Sequence, residues 1–206
     1  MDYSKLQNGS DIRGVALEGI EGQHINLTEQ ACRDIGRGFA LWLKARDASA
    51  RRVAVGRDSR LSGAQLCAWI CEAMAREGLA VTDLGMASTP AMFMCTVTEG
   101  YAYDASVMIT ASHLPFNRNG FKFFTKNGGL EKQDITAILK YAGDVYKRQD
   151  EQHQRDEDQH RHQQQPGILP QIFEKIRALF LPVPLGTGVS PLFGSVFHSC
   201  APNVTR

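Results

Sequence analysis

The sequence predicts a three-layer α/β/α domain over residues 10–143, built on a four-stranded core sheet. Short apolar segments alternate with segments of helical periodicity, and turn or capping residues separate them. The 206 residues are 43% hydrophobic and 22% charged, which is typical of a globular protein with one core. Strands that alternate with helical crossovers indicate a layered fold with a mostly parallel sheet.

The first half of this pattern contains two strands and one helix. Residues 12–16 form a short strand candidate, and residues 52–58 form a compact apolar strand that ends in charged residues. Between them, Thr28 is a typical N-cap and Glu29 lies favourably in the first helical turn. The apolar face of this helix follows from the spacing of Ala31, Ile35, Phe39, Trp42 and Leu43.

The second half contains two helices and two strands. Ser62 opens a helix whose apolar stripe continues to Gly78, a favourable residue for ending a helix. Residues 80–86 form the third strand, and residues 105–110 form the fourth. The dipeptide Thr89-Pro90 starts the helix between them, since proline at the beginning of a helix costs no hydrogen bond.

The pattern changes at residue 144, and we predict that residues 1–143 form the domain and 144–206 do not. Residues 150–167, "DEQHQRDEDQHRHQQQPG", carry no large apolar side chain that could offset the entropy of ordering. We expect residues 150–165 to lack regular packing and 171–181 to form a helix that does not dock firmly. The tail is therefore interpreted as irregular, either a non-native continuation or a natural disordered linker.

Bulk properties argue against several function classes. A formal charge of +1 gives no long-range attraction to nucleic acid or to an anionic membrane. No apolar run is long enough to cross a bilayer, and the N-terminus lacks the layout of a signal peptide. The five cysteines have no regular spacing, which favours free thiols. We therefore expect a cytoplasmic protein without nucleic-acid or membrane partners.

The chemistry is concentrated in residues 107–124, "VMITASHLPFNRNGFKFF". Ligands of layered α/β folds bind where loops leave the carboxyl ends of strands, and this loop follows the fourth strand. Ser112 offers a hydroxyl and His113 a proton carrier, while a predicted tight turn at Asn119-Gly120 returns Lys122 to the loop. A serine close to cations suits the transfer of a phosphoryl group.

Other interpretations of the same residues remain open at this point. Ser112 and His113 could cap a turn and have no catalytic role, and the G-x-S-x-G elbow of serine hydrolases is absent. In "GRDSR", Arg57 and Arg60 could reach the site, or Asp58 could pair with an arginine and stabilise a turn.

Five motifs together resemble the first domain of the α-D-phosphohexomutases, the phosphoglucomutase/phosphomannomutase family. In order and spacing these are "NGSDIRG", "VAVGRDSRLSG", "DLGMASTPAM", "MITASHLPFNRNGFKFF" and "GGLEK". The similarity covers roughly residues 10–143. It implies a mixed sheet in which the strand at 12–16 is antiparallel to the others.

The resemblance also implies roles for four residues. Ser112 matches the serine that is phosphorylated and exchanges its phosphoryl group with hexose 1- or 6-phosphate through a 1,6-bisphosphate. Lys122 matches the candidate general acid/base, Arg13 an arginine that offsets phosphate charge, and His113 a loop histidine that positions the phosphoserine or the substrate. The family requires Mg²⁺, for which the phosphorylated Ser112 would be one ligand.

The sequence departs from the family pattern in two respects. Leu114 stands where asparagine is common, and no D-G-D-G-D metal loop, sugar-discriminating loop or second phosphate-binding loop follows residue 143. We therefore expect an inactive fragment of a phosphohexomutase, whose preferred hexose the sequence does not specify. Two alternatives are a non-catalytic domain that binds phosphosugars or phosphate, and a structural domain in which Ser112 and His113 form a cap.

Overall fold

The computed structural model describes residues 2–144 and 154–156. Residues 154–156 are helical, and the rest of the tail predictions for 144–206, including the helix at 171–181, lie outside the described residues. Within the described part of the chain, no helix has the length and apolar character needed to cross a membrane.

A short 3₁₀ turn at Ser4–Leu6 precedes the first strand, and strands alternate with helices over residues 11–109. Residues 132–144 are also helical and are called α4. The other elements are β1 (Gln7–Asn8), β2 (Asp11–Val15), α1 (Glu29–Arg46), β3 (Arg52–Arg57), α2 (Gly63–Arg76), β4 (Ala80–Met86), α3 (Thr89–Val97), β5 (Ala105–Ile109), β6 (Arg118–Thr125) and β7 (Gly128–Gly129).

The predicted helix ends agree with the structure, but Ser62 acts differently from a usual cap. The hydroxyl of Thr28 accepts a hydrogen bond from the amide of Ala31 at 3.2 Å and so caps α1. Gly78, with φ +81°, follows the end of α2 in the left-handed region. Ser62 precedes α2, but its hydroxyl accepts a hydrogen bond from the Asn119 side-chain amide at 2.8 Å. This bond ties the start of α2 to β6.

The sheet is mixed, as predicted, but among the described residues it has seven strands, and the predicted number of four is wrong. Its order is β1-β2-β6-β5-β3-β4, with β7 also paired to β6. The main strand absent from the prediction is β6, and the predicted tight turn at Asn119-Gly120 is wrong. Both residues lie inside β6, where they pair with β2. The chain reverses instead between the end of β5 and the start of β6, at residues 110–117.

The predicted direction of the first long strand is also corrected. β2 is antiparallel to β6, as it is to β1. However, β6 is itself antiparallel to β5, whereas β5, β3 and β4 are parallel to one another. β2 therefore runs in the same direction as β3, β4 and β5, and β6 is the reversed strand among these long strands.

The three-layer arrangement is confirmed by the two faces of the sheet. On β3, Val53 and Val55 belong to the larger core, which they share with apolar residues of α1, α2 and α4. Ala54, which points to the opposite face, belongs to a second core with Met92 of α3. β5 alternates in the same way, with Val107 in the first core and Met108 in the second. Helices therefore cover both faces of the sheet.

The crowded contact between β2 and β6 leads to a stability prediction. Gly120 is paired with Arg13, and a Cβ at residue 120 would overlap the backbone carbonyl oxygen of Ile12. We expect Gly120→Ala to lower the free energy of unfolding by about 1–3 kcal/mol, because the backbones of both strands must move apart. The measurement is urea unfolding, in which the midpoint should fall at an unchanged m-value.

Gly129→Ala is the matched control in the same sheet. A Cβ at residue 129 would lie 3.7 Å from the nearest ring carbon of Phe124, an ordinary van der Waals distance. This variant should therefore stay within about 0.5 kcal/mol of the parent chain. Equal unfolding midpoints for the two variants would contradict the proposed clash.

Candidate active site

Two loops meet at the carboxyl ends of the parallel strands β3 and β5. The amide of Asp58, directly after β3, donates to the carbonyl oxygen of Ile109 at the end of β5, at 3.1 Å. The hydroxyl of Thr110 donates to Oδ2 of Asp58 at 2.6 Å and accepts a hydrogen bond from the amide of Ser112 at 2.9 Å. A continuous hydrogen-bonded path thus runs from the β3 loop to Ser112.

Ser112 has an uncommon backbone conformation and an exposed side chain. Its φ is +56°, in the left-handed region that residues other than glycine rarely adopt. Its hydroxyl lies 3.5 Å from Nδ1 of His113, which is also exposed. The two residues that the sequence analysis paired are therefore neighbours on an open surface. Such local backbone strain is typical of functional sites, where the surrounding structure over-determines the conformation.

Arg13 reaches this loop from β2, 98 positions earlier in the chain than the residue that it contacts. Its Nη1 donates to the carbonyl oxygen of Ala111, directly before Ser112, at 2.9 Å. Nη2 of the same guanidinium pairs with Oδ2 of Asp11 at 2.9 Å. The absence of a side chain at Gly120, opposite Arg13, leaves the volume that the Arg13 side chain uses.

Lys122 joins the same cluster through Asp11. Its Nζ lies 2.6 Å from Oδ2 of Asp11, so one carboxylate oxygen holds both Lys122 and Arg13. Asp11 is not among the residues predicted from the sequence, although it lies two residues before Arg13 and therefore on the same face of β2. Ile12 pairs with Phe121 across the two strands, and continuing this antiparallel register places Asp11 opposite Lys122.

The charges of this cluster favour an anion next to Ser112. Arg13 and Lys122 carry two positive charges and share the single carboxylate of Asp11, whose side chain is 12% exposed. Lys122 is half-buried, so its charge is less screened than that of a fully exposed lysine. An excess cation close to the loop that carries the exposed hydroxyl of Ser112 is suited to binding a phosphate dianion.

The sequence left open whether the arginines of "GRDSR" reach the site or whether one of them pairs with Asp58. Arg57 pairs with Asp83 of β4 at 3.0 Å. Arg60 instead donates hydrogen bonds to backbone carbonyls of that loop, and its Nε lies 3.4 Å from Oδ2 of Asp58. The Asp–Arg pair and the contact with the site therefore occur together.

The described residues do not by themselves form a metal site. Across 2–144 and 154–156, no group of three or more histidine, cysteine, aspartate or glutamate side chains could hold a metal ion. The two carboxylates next to the loop are already engaged, Asp11 by two cations and Asp58 by Thr110 and Arg60. Ser112 would contribute a single oxygen, so the Mg²⁺ expected from the resemblance would need its carboxylate ligands from elsewhere.

Comparison with known proteins settles the family of this chain. A family profile described as "Phosphoglucomutase/phosphomannomutase, alpha/beta/alpha domain I" matches residues 4–148. The chain belongs to the phosphoglucomutase/phosphomannomutase family. This confirms the resemblance that was based on five motifs, and the match extends slightly beyond the predicted domain end at residue 143.

Curated relatives in this family are much longer than the chain. A phosphoglucomutase of Neisseria gonorrhoeae is 37% identical over 123 residues, which are 60% of this chain and 25% of that protein. A phosphoglucosamine mutase of Natranaerobius thermophilus is 40% identical over 124 residues, again 60% of this chain and 25% of that protein. The chain thus spans about a quarter of the length of these relatives.

Solved structures of the family support the fold. A phosphoglucomutase/phosphomannomutase family protein from Burkholderia thailandensis is 28% identical with a TM-score of 0.59, over 71% of this chain and 31% of that one. A putative phosphomannomutase from Thermus thermophilus has a TM-score of 0.55 at 22% identity, over 68% and 30% of the two chains. The second likeness concerns the fold alone.

Proposed function

We propose that this chain is the phosphoserine-bearing part of a mutase that interconverts hexose 1-phosphate and hexose 6-phosphate through a 1,6-bisphosphate. The observation that carries the proposal is the placement of Ser112. It is exposed on a strained backbone, and Arg13 contacts the residue directly before it. Membership of the family agrees with this chemistry, since relatives of the chain are named as sugar phosphomutases.

The proposed reaction uses the Ser112 hydroxyl as a phosphoryl carrier. In the first half, a hydroxyl oxygen of the sugar phosphate attacks the phosphorus on Ser112, the bond from phosphorus to Oγ breaks, and a bisphosphate results. In the second half, Oγ attacks the other phosphorus of the bisphosphate and the bond from that phosphorus to the sugar oxygen breaks, which restores the phosphoserine and releases the isomeric monophosphate. Positioning and charge stabilisation account for most catalysis of phosphoryl transfer.

The other three predicted residues then have distinct roles. In each half-reaction, Nζ of Lys122, charged at rest beside Asp11, gives a proton to the oxygen that leaves phosphorus and takes one from the hydroxyl that attacks it. Asp11 orients Nζ, which it contacts at 2.6 Å. Arg13 offsets the negative charge of the phosphoryl group, and His113, 3.5 Å from the Ser112 hydroxyl, positions the phosphoserine or the substrate.

Mg²⁺ belongs to the proposed complete enzyme, in which a phosphate oxygen on Ser112 would be one of its ligands and the ion would stabilise charge on the transferred group. The described residues lack a carboxylate set for the ion, so its other ligands would come from outside them. We further propose the cytoplasm as the location and a hexose phosphate as the small-molecule partner.

The test compares the 206-residue chain with a chimera in which its residues 1–143 replace the matching part of the Neisseria gonorrhoeae phosphoglucomutase. With Mg²⁺ and a trace of hexose 1,6-bisphosphate, the chimera should convert hexose 1-phosphate to hexose 6-phosphate. The chain alone should not, since it spans about a quarter of such a protein. Glucose, mannose and glucosamine phosphates should be assayed in parallel.

Two outcomes would contradict the proposal. Turnover by the isolated chain would show that the remaining part of the relatives is unnecessary. A folded chimera that binds hexose phosphate without converting it would favour the non-catalytic binding domain considered from the sequence.

A further inference from the structure

Arg60 spans the turn that carries Ser112. Its Nη2 donates to the carbonyl oxygens of Ser112 at 2.8 Å and of Leu114 at 2.7 Å. Its Nη1 donates to the carbonyl oxygens of Pro115 at 2.8 Å and of Arg118 at 3.1 Å. One guanidinium therefore binds four backbone carbonyls of residues 110–118, which we call the carrier loop.

Asp58 connects Arg60 to the other side of Ser112. Nε of Arg60 is buried, makes no hydrogen bond and lies 3.4 Å from Oδ2 of Asp58. The same oxygen accepts a hydrogen bond from the Thr110 hydroxyl, which in turn accepts one from the amide of Ser112. The N–H group of Ser112 is thus held through Thr110, and its carbonyl group is held by Arg60 directly.

This arrangement requires the chemistry of an arginine. Among side chains, only the guanidinium offers five donors in a planar fork, whereas a lysine offers three donors from one atom. The Arg60 side chain is 13% exposed, and its hydrogen bonds to the carbonyls of Leu114 and Arg118 are partly buried. Charge-assisted hydrogen bonds of this kind are strong enough to keep a serine at a positive φ.

We infer that Arg60 is a positioning residue for the phosphoryl carrier, which fixes the carrier loop in the conformation that presents the Ser112 hydroxyl. This inference rests on the function proposed for Ser112. It assigns to Arg60 the geometry of the loop and not a contact with substrate.

Amide hydrogen exchange of the full 206-residue chain, read by NMR, tests the inference. The informative amides are those of Ser112, Leu114 and Arg118, which are bonded to Thr110, Ala111 and Pro115 within the loop. In Arg60→Lys and Arg60→Gln we expect these amides to exchange faster by about tenfold or more, because opening the loop no longer breaks four charge-assisted bonds.

Arg57→Lys is the matched control, because Arg57 lies in the same segment but pairs with Asp83 of β4. Its carrier-loop amides should exchange at the parental rate. Unchanged loop exchange in both Arg60 variants would overturn the inference. Faster exchange spread evenly over β3 and β5 as well would also overturn it, since Arg60 would then stabilise the whole domain. Arg60→Lys retains the positive charge next to Asp58, so the test can still be made if Arg60→Gln does not fold.

Activity of the chimera separates this inference from the proposed function. Arg60→Lys should lower kcat and leave KM for the hexose phosphate nearly unchanged, because the loop and not the substrate contact is disturbed. If loop exchange stays at the parental rate while Ser112→Ala abolishes turnover, Arg60 is not the positioning residue and the proposed function stands. If loop exchange rises while Ser112→Ala retains turnover, the phosphoryl role fails, and the inference built on it fails too.

Discussion

Ser112→Ala in the chimera is expected to reduce mutase turnover to background and to leave the binding of hexose phosphate largely intact. The substitution removes the oxygen that carries the phosphoryl group, a loss on the order of 10⁶-fold in other enzymes that lose a nucleophile. Arg13, Lys122 and Asp11 keep their mutual contacts, because none of them bonds to the Ser112 hydroxyl. Positive charge next to residue 112 therefore remains available to a phosphate.

Three measurements check this result. A coupled assay measures turnover, calorimetry measures hexose phosphate binding, and labelled bisphosphate reports transfer of phosphate to the protein. Ser59→Ala is the control, since Ser59 is another exposed serine in the neighbouring β3 loop. Full activity of Ser112→Ala, or equal labelling of both variants, would be incompatible with a phosphoserine at residue 112.

Lys122→Ala in the chimera is expected to lower kcat by about 10²–10⁴-fold, the usual contribution of a general acid/base. Lys122→Arg separates proton transfer from charge. Arginine keeps the positive charge close to Asp11 but does not release a proton in proteins. If Nζ of Lys122 moves a proton, the arginine variant should be nearly as slow as the alanine variant.

Pre-steady-state transfer from the phosphoserine to the sugar is the appropriate measurement for these variants. Lys126→Ala is the control, because Lys126 is an exposed lysine that follows β6 directly. Recovery of the parental rate in Lys122→Arg would show that charge alone matters, and Lys122 would lose its assignment as the general acid/base.

The elements that the sequence predicted correctly are those with local causes. Thr28 caps α1 through its own hydroxyl, and Gly78 ends α2 with a positive φ. The missed strand β6 shows the opposite case. Asn119-Gly120 has a strong local preference for turns, yet pairing with Gly14 and Arg13 of β2 holds it extended. These partners are distant in sequence, so no local pattern indicates them.

The site shows the same division between local and long-range information. The pairing of Ser112 with His113 could be predicted from the sequence because the two residues are adjacent. Asp11 was missed because its partner Lys122 lies 111 positions away. The sequence left the contacts of Arg60 open, since they depend on the path of a loop more than 50 positions later in the chain. A charged residue in a sequence reveals its charge but not its partner.

Ser112 is restrained through its backbone and not through its side chain. The hydrogen bonds from Thr110 and Arg60 restrain the amide and carbonyl of residue 112 and leave its χ1 torsion unrestrained by them. Rotation of an exposed side chain takes picoseconds to nanoseconds, far less than the roughly 0.1 s of a typical catalytic cycle. In the proposed reaction, Oγ can therefore turn towards either phosphate of a reoriented bisphosphate without any movement of the backbone that supports it.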